Sequence, residues 1–279
     1  MKLSPSRLGQ AGRRFLRAIL VPVVLLALWQ LAAETKLVNP HILPSPLQVL
    51  RRWIAYAAPA APRTPETSVL AWMFSGELLH DAVATAVRVT VGFCLGAGLA
   101  LPMGLVMGMF DRVHNLFNPL LQVLRPIPPI AYIPLAILWF GLGNPPAYFL
   151  ISLGAFFPVL MNTIAGVRQV DRIYIRAGRN LGAGPATMFL HIILPAATPL
   201  ILTGLRVGVG VAFICVIVAE MIAVNDGLGF RILEAREFFW SDKIIAGMLT
   251  IGLLGLAIDT GMDRLNAHLL RWHRGAGEK

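Results

Sequence analysis

Apolar residues in this chain come in long unbroken runs rather than in short alternations. A hydrocarbon core of about 30 Å takes about 20 apolar residues in helical form. Runs of that order recur six times, roughly Phe15 to Ala33, Thr85 to Phe110, Leu120 to Phe140, Ala147 to Val167, Pro199 to Ala223 and Ile244 to Met262. The pattern predicts an all-α membrane protein with six transmembrane helices. Between the first two runs, Pro40, Pro44, Pro46, Pro59, Pro62 and Pro65 exclude one regular helix. Within that segment Leu47 to Tyr56 reads as a short interfacial helix, with Trp53 and Tyr56 at headgroup level.

Composition excludes a cytosolic enzyme. Of 279 residues, 57% are hydrophobic and only 14% charged, against about a quarter charged in an ordinary soluble domain. Mean hydropathy is +0.71. Net charge is +10, from 24 basic and 14 acidic side chains. No basic stretch is interleaved with aromatics, so no nucleic acid is expected. The basic residues instead gather on alternate loops, in Lys2 to Arg17, Arg168 to Arg179 and Arg264 to Lys279. By the positive-inside bias both termini are cytoplasmic, in a multi-pass protein surrounded by membrane lipid. The expected layout is a cytoplasmic tail at 1–14, the first helix with its proline-rich outer segment at 15–84, and a five-helix core at 85–279 with a cytoplasmic loop at 168–195. A basic start followed by an apolar run also resembles a secretory signal, but nineteen apolar residues exceed the usual 7 to 15 of a signal core, which favours an uncleaved helix. Cys94 and Cys215 sit inside apolar runs and read as small buried hydrophobes.

Small residues every fourth position mark helix packing faces in lipid. Gly92, Gly96, Ala100, Gly104 and Gly108 form one such stripe, and Gly204, Gly208 and Ala212 another. The third run carries Arg125-Pro126-Ile127-Pro128-Pro129 and Pro134, which remove backbone donors where no water replaces them; either an interrupted helix at a pathway or a kink near the interface follows. Ionisable groups inside spans are expensive and are candidates for function. Arg88 and Arg125 lie near span ends and could snorkel, while Arg206 and Glu220 lie on one helix and Asp259 could pair with a basic residue. Arg88, Asn162, Arg206 and Glu220 are the expected translocation-pathway residues, with Arg206 either an anion contact or half of a structural salt bridge. No catalytic residues and no metal ligands are expected. No Gly-x-x-x-x-Gly-Lys-Ser/Thr occurs, so ATP is expected on a partner and no cofactor on this chain. The histidines fall outside or at the edge of spans, and Gly-x-Ser-x-Gly is missing, which removes an intramembrane enzyme.

The loop from Gln169 to His191 reads as helix, glycine turn, helix. Gly182 and Gly184 permit unusual backbone angles and Pro185 suits a first helical turn. Met188, Phe189 and Leu190 together suggest docking onto another protein. Arg176-Ala177-Gly178, then Leu181-Gly182-Ala183, then Ile192-Ile193-Leu194-Pro195 resembles the Glu-Ala-Ala loop of ABC-importer permease subunits. Arg176 stands where that pattern has Glu, and Gly178 replaces its second Ala. The resemblance extends to His41-Ile42-Leu43-Pro44-Ser45-Pro46, to Leu124 through Pro134, to Trp139-Phe140-Gly141-Leu142-Gly143 and to Gly227-Leu228-Gly229. Together these are similar to the nitrate, sulfonate, taurine and bicarbonate branch, nearest to taurine and alkanesulfonate permeases. The resemblance implies a type I ABC importer permease-like fold in a bacterial inner membrane. It implies a homodimer, two ATPase subunits that hold ATP and Mg, and a solute-binding protein that delivers a small anion. Other members with the same motifs carry non-anionic heterocycles, and a channel or scaffold that needs no ATPase is the alternative from another class.

Overall fold

The computed structural model of the protein describes residues 5–35, 39, 42–59, 68, 72 and 75–270, with side chains from 20 onward. Its helices, in chain order, are α1 Pro5–Glu34, α2 Pro46–Ala57, α3 Glu77–Met109, α4 Asp111–Leu124, α5 Ile133–Phe140, α6 Asn144–Arg168, α7 Arg172–Asn180, α8 Leu194–Ala223, α9 Leu228–Glu237 and α10 Ser241–Leu269. A 3-10 turn at Pro129–Tyr132 precedes α5, and a π-helical turn at Met188–Ile193 leads into α8. Extended pairing among the described residues is confined to Pro59 opposite Gly76. The chain forms two compact units, one from residues up to Glu77 with Ile232–Leu249, the other from Leu78–Arg231 and Thr250 onward.

Helices α3, α6, α8 and α10 are each long and apolar enough to cross a membrane. The third apolar run is not a single helix: α4 and the segment through α5 meet at 83°. Its cause is local. Pro126, Pro128 and Pro129 remove backbone donors, and Pro128, which precedes Pro129, is extended at φ −64, ψ 139, whereas Arg125 before Pro126 stays helical. Pro134 is harmless, because it occupies the first turn of α5, where no donor is needed. The first run lies within α1, of which Leu20–Glu34 is a shorter apolar stretch. Six apolar segments are therefore helical, four of them as unbroken spans.

In the larger unit α6 is central, with more than half of its apolar window buried (56%) against 17% for α10. The glycine stripe of α3 explains how. A Cβ added at Gly92 would lie 2.5 Å from Ile151 Cβ, and one at Gly104 2.7 Å from Thr163 Cβ. On its other side, a Cβ at Gly208 of α8 would lie 2.8 Å from Val159 Cγ2. Backbones approach this closely only where a side chain is missing, and lipid offers no competing hydrophobic drive. Ala100, Met107, Val159 and Leu160 fill one core cluster and Ile151, Ala155, Ala212 and Val216 another. Cys215 is buried in that second cluster, but Cys94 is exposed on α3, contrary to the reading from its apolar surroundings. An apolar run is hydrophobic all round and does not say which face is turned outward.

In the smaller unit, α2 forms where expected. Ser45 Oγ accepts from Gln48 N at 3.3 Å while Gln48 Oε1 accepts from Ser45 N at 2.9 Å, a capping box that fixes the start of the helix. Tyr56 is buried, with Lys243 Nζ 5.2 Å from its ring centroid. Arg52 Nε donates to Asp242 Oδ2 at 2.8 Å in the same unit. Pro40, Pro62 and Pro65 lie outside the described residues.

Candidate functional site

The loop between α6 and α8 folds as a closed hairpin. Asp171 caps α7, its Oδ1 accepting from Ile173 N at 2.8 Å. At the other end Gly182 takes φ +77, and Ala183 N donates to Gly178 O at 2.9 Å while Gly182 N donates to Arg179 O at 3.0 Å. That pair of bonds is the Schellman closure, which asks for a left-handed residue at the position of Gly182. Gly184 is ordinary extended backbone and uses no special freedom. Pro185 starts the return strand of the hairpin as a helix, and the π turn that follows ends beside Pro195, whose missing donor leaves His191 O without its usual partner.

The interior of this hairpin accounts for a departure from the family pattern. A Cβ on Gly178 would lie 2.5 Å from Ile192 Cδ1 and 3.1 Å from Met188 Cε. Glycine therefore lets the two halves close. Met188 is buried inside the hairpin and Phe189, Ala183, Leu194 and Pro195 are half-buried. Exposed instead are Ile173, Tyr174, Leu181 and Leu190, with Leu181 at 88%. Arg176 and Ala177 are also exposed, and among the described residues Arg172, Arg176 and Arg179 have no carboxylate at ion-pair distance. The hairpin thus presents apolar tips on a cationic body; of Met188, Phe189 and Leu190, only Leu190 is exposed, beside Ile173, Tyr174 and Leu181.

At the opposite end of the bundle, where α6 begins and α8 ends, a buried polar cluster ties the chain together. Arg88 Nη1 donates to Glu220 Oε1 at 2.8 Å, its Nε donates to Asn144 Oδ1 at 2.8 Å, and its Nη2 donates to Asp226. Thr85 Oγ1 donates to Glu220 at 2.9 Å and accepts from Leu228 N at 3.0 Å. Gly229 N donates to Glu220 Oε2 at 2.9 Å, and Gly227 N to Asp81 Oδ1 at 3.0 Å. Asp81 Oδ2 also accepts from Arg231 Nε at 2.8 Å. Glu220 and Asp81 have no exposed surface. Two glycines make this possible: Gly227 has φ +102 and a Cβ on it would strike the Glu220 carboxylate, while one on Gly229 would strike Ile217 O. The Gly227-Leu228-Gly229 motif is a backbone wrapped onto a buried carboxylate.

The remaining expected pathway residues are apart from this cluster. Arg206 of α8 makes two bonds to Asp259 of α10, at 2.9 and 2.8 Å, and Nη2 donates to Asp263 Oδ2 at 3.0 Å. Its side chain is 40% exposed. Asn162 lines a cavity of about 330 Å³ with Arg125, Ile127, Phe157, Val207 and Val211, and donates from Nδ2 to Pro158 O at 2.8 Å. Of the four, Arg88 and Glu220 are brought together and Arg206 and Asn162 are not. Asp81, Thr85, Asn144, Asp226 and Asp263 were not singled out from the sequence. Only the i, i+4 spacing of Asp259 and Asp263 could have signalled their shared partner.

A bundle of apolar helices, one of them broken by prolines, with a helical hairpin between two spans, is the architecture of a transporter's membrane component. Residues 100–275 match the family described as binding-protein-dependent transport system inner membrane component, and the chain belongs to that family. It is 35% identical over 250 residues to the taurine transport system permease protein of Escherichia coli, covering 90% of this chain and 87% of that one. It is 32% identical over 246 residues to the nitrate import permease protein of Synechocystis, covering 88% of this chain and 86% of that one. Among solved structures, an inward-facing form of the MetNI methionine ABC transporter shares the fold, with a TM-score of 0.62 at 17% identity, over 70% of this chain and 96% of that one.

Proposed function

We propose that this chain is the permease subunit of an ATP-driven importer for a small anion of the sulfonate, taurine or nitrate class. Two copies form the pathway, two separate ATPase subunits bind ATP and Mg, and a solute-binding protein delivers the cargo from outside. Both termini and the hairpin at 168–195 face the cytoplasm, in line with the basic residues that cluster there. Closure of the ATPases on ATP pulls the hairpin, which is continuous with α6 and α8, and rocks those helices between inward-open and outward-open states. The cluster around Glu220 holds the far ends of the same helices together, so the pull moves a joined unit rather than fraying it.

The observation that carries this reading is the exposed apolar set Ile173, Tyr174, Leu181 and Leu190 on a hairpin whose interior is already filled. Large apolar side chains this exposed on a compact element mark a protein contact. A Cβ on Gly182 meets nothing within 4 Å, so a bulky residue there reaches outward toward the partner. Gly182→Trp is expected to leave the chain in the membrane and to lose the co-purifying ATPase. A complex of undiminished yield and ATP-driven uptake with Gly182→Trp would overturn the coupling role.

A further inference from the structure

At the ends of α3 and α6 nearest the hairpin, a cavity of about 630 Å³ opens between the last residues of both helices and one side of α7. It is nearly twice the cavity of about 330 Å³ that Asn162 lines. Its walls carry Arg168, Arg172, Arg176 and Arg179, and the one carboxylate in the lining, Asp111, already pairs with Arg168. Among the described residues the other three arginines have no carboxylate at ion-pair distance. Like charges gathered around one space repel unless an anion answers them. The positive-inside bias accounts for basic residues on this loop, but not for their turning to a single cavity.

Helix α7 has two distinct faces. Arg172, Ile175, Arg176 and Arg179, at i, i+3, i+4 and i+7, line the cavity together, whereas the exposed Ile173 and Tyr174 lie off that face. The arginines are therefore separate from the apolar surface assigned to the ATPase. From the ends of the spans the cavity takes apolar lining, with Met109 and Val167 beside Val170. Cations on one wall and apolar span ends on another match a phosphate joined to hydrocarbon. We propose that this cavity seats the headgroup of an anionic phospholipid, its phosphate held by Arg172, Arg176 and Arg179 and its acyl chains running along α3 and α6. Basic pockets at the cytoplasmic ends of membrane helices recognise such headgroups, and the guanidinium fork suits phosphate oxygens. A zwitterionic headgroup brings an ammonium that the arginines repel. Three unanswered charges favour cardiolipin, with two phosphates, over phosphatidylglycerol, with one. A soluble phosphate would meet the arginines but gain nothing from the apolar lining. The inference goes beyond the permease reading and uses it only for the side of the membrane on which the hairpin lies.

The test is native mass spectrometry of the chain with its ATPase subunits, released from nanodiscs that hold cardiolipin, phosphatidylglycerol and phosphatidylethanolamine in equal amounts. Cardiolipin is expected to be retained most and phosphatidylethanolamine least. Arg172→Gln, Arg176→Gln and Arg179→Gln are each expected to weaken cardiolipin about fivefold, and the three together about 100-fold. Lys at the same three positions should keep most of the binding, because the charge stays while the fork is lost. Arg112→Gln with Arg264→Gln, which removes two exposed charges elsewhere, should leave retention nearly unchanged. Gly182→Trp should lose the ATPase and keep the lipid, so the two readings fail separately. An ATPase that stays with Gly182→Trp removes the coupling contact alone. Cardiolipin held by the triple Gln variant as by wild type would overturn the lipid site, and with the ATPase lost it would assign the arginines to the ATPase. The site would equally fall if phosphatidylethanolamine were retained as well as cardiolipin, or if Arg112→Gln with Arg264→Gln cost as much as the triple change. Loss of cardiolipin with Gly182→Trp would place the lipid on the ATPase contact, and its displacement by inorganic phosphate at matched ionic strength would mean a soluble anion; either result overturns the proposal.

Discussion

Arg88 and Arg206 make nearly the same contacts, each with two carboxylates from distant parts of the chain, and yet stand in opposite surroundings. The Arg88 side chain is 5% exposed and its partner Glu220 not at all, while Arg206 is 40% exposed and its partners Asp259 and Asp263 about half. Burial changes what an ion pair does. A buried pair returns little net stability when intact, because both ions gave up their hydration, but removing one partner strands a charge with no water to take it. An exposed pair can be broken and resolvated on the spot. Geometry alone therefore ranks the two clusters as equals, and burial within the chain ranks them far apart.

The largest effect follows from the first case. Glu220→Ala leaves the Arg88 guanidinium buried with Asp226 as its one carboxylate in the cluster and Asn144 as a neutral acceptor, and leaves Thr85 and Gly229 N without their Glu220 acceptor. A loss of about 3–5 kcal/mol is expected, seen as a large fall in the thermal midpoint of the detergent-purified protein. Glu220→Gln sharpens the point, because it keeps an acceptor for Thr85 and Gly229 and should fall between wild type and Ala. If Glu220→Ala melted with wild type, the cluster would be a passenger and the comparison would fail at its stronger end.

A smaller loss is expected from the backbone that wraps this carboxylate. Gly227→Ala places a Cβ against Glu220 and a side chain at φ +102, where L residues are strained. About 1–3 kcal/mol is expected, again by thermal unfolding. A combined Gly227→Ala and Glu220→Ala protein should lose less than the two separate losses added together, because removing the carboxylate clears the collision. Full additivity would mean that the strain at Gly227 is independent of Glu220.

How far these features could be read beforehand depends on the range of the interaction. The glycine stripe of α3 and the Gly182 turn were legible, since both follow from residue spacing within one element. The prolines after Arg125 marked the break in the third run but not its 83° bend. Pairing of Arg88 with Glu220 spans 132 positions, and nothing local in either helix points to the other. The motif Gly227-Leu228-Gly229 was visible while its reason was not, because the groups that exclude a Cβ, the Glu220 carboxylate at Gly227 and Ile217 O at Gly229, belong to α8. The inward position of Met188 was hidden for the same cause. Its apolar character was plain, but the cavity that takes it is made by Gly178, ten residues earlier.

The smallest effect is expected at Arg206. Arg206→Gln removes a fork held by Asp259 and Asp263, but both carboxylates remain open to their surroundings, and α8 still meets α10 through Phe213 against Gly255. Its thermal midpoint should stay near that of wild type, and whatever change it shows should shrink as salt is raised, whereas the Glu220→Ala loss should be indifferent to salt. Replacing Asp259 and Asp263 by Asn together with Arg206→Gln should recover even that change, since no unpaired charge is left. A fall as deep as that of Glu220→Ala, and insensitive to salt, would mean that this face is covered in the assembled protein. The surface bearing Arg206 would then belong to the contact with the second copy, and its apparent freedom would be a property of the single chain.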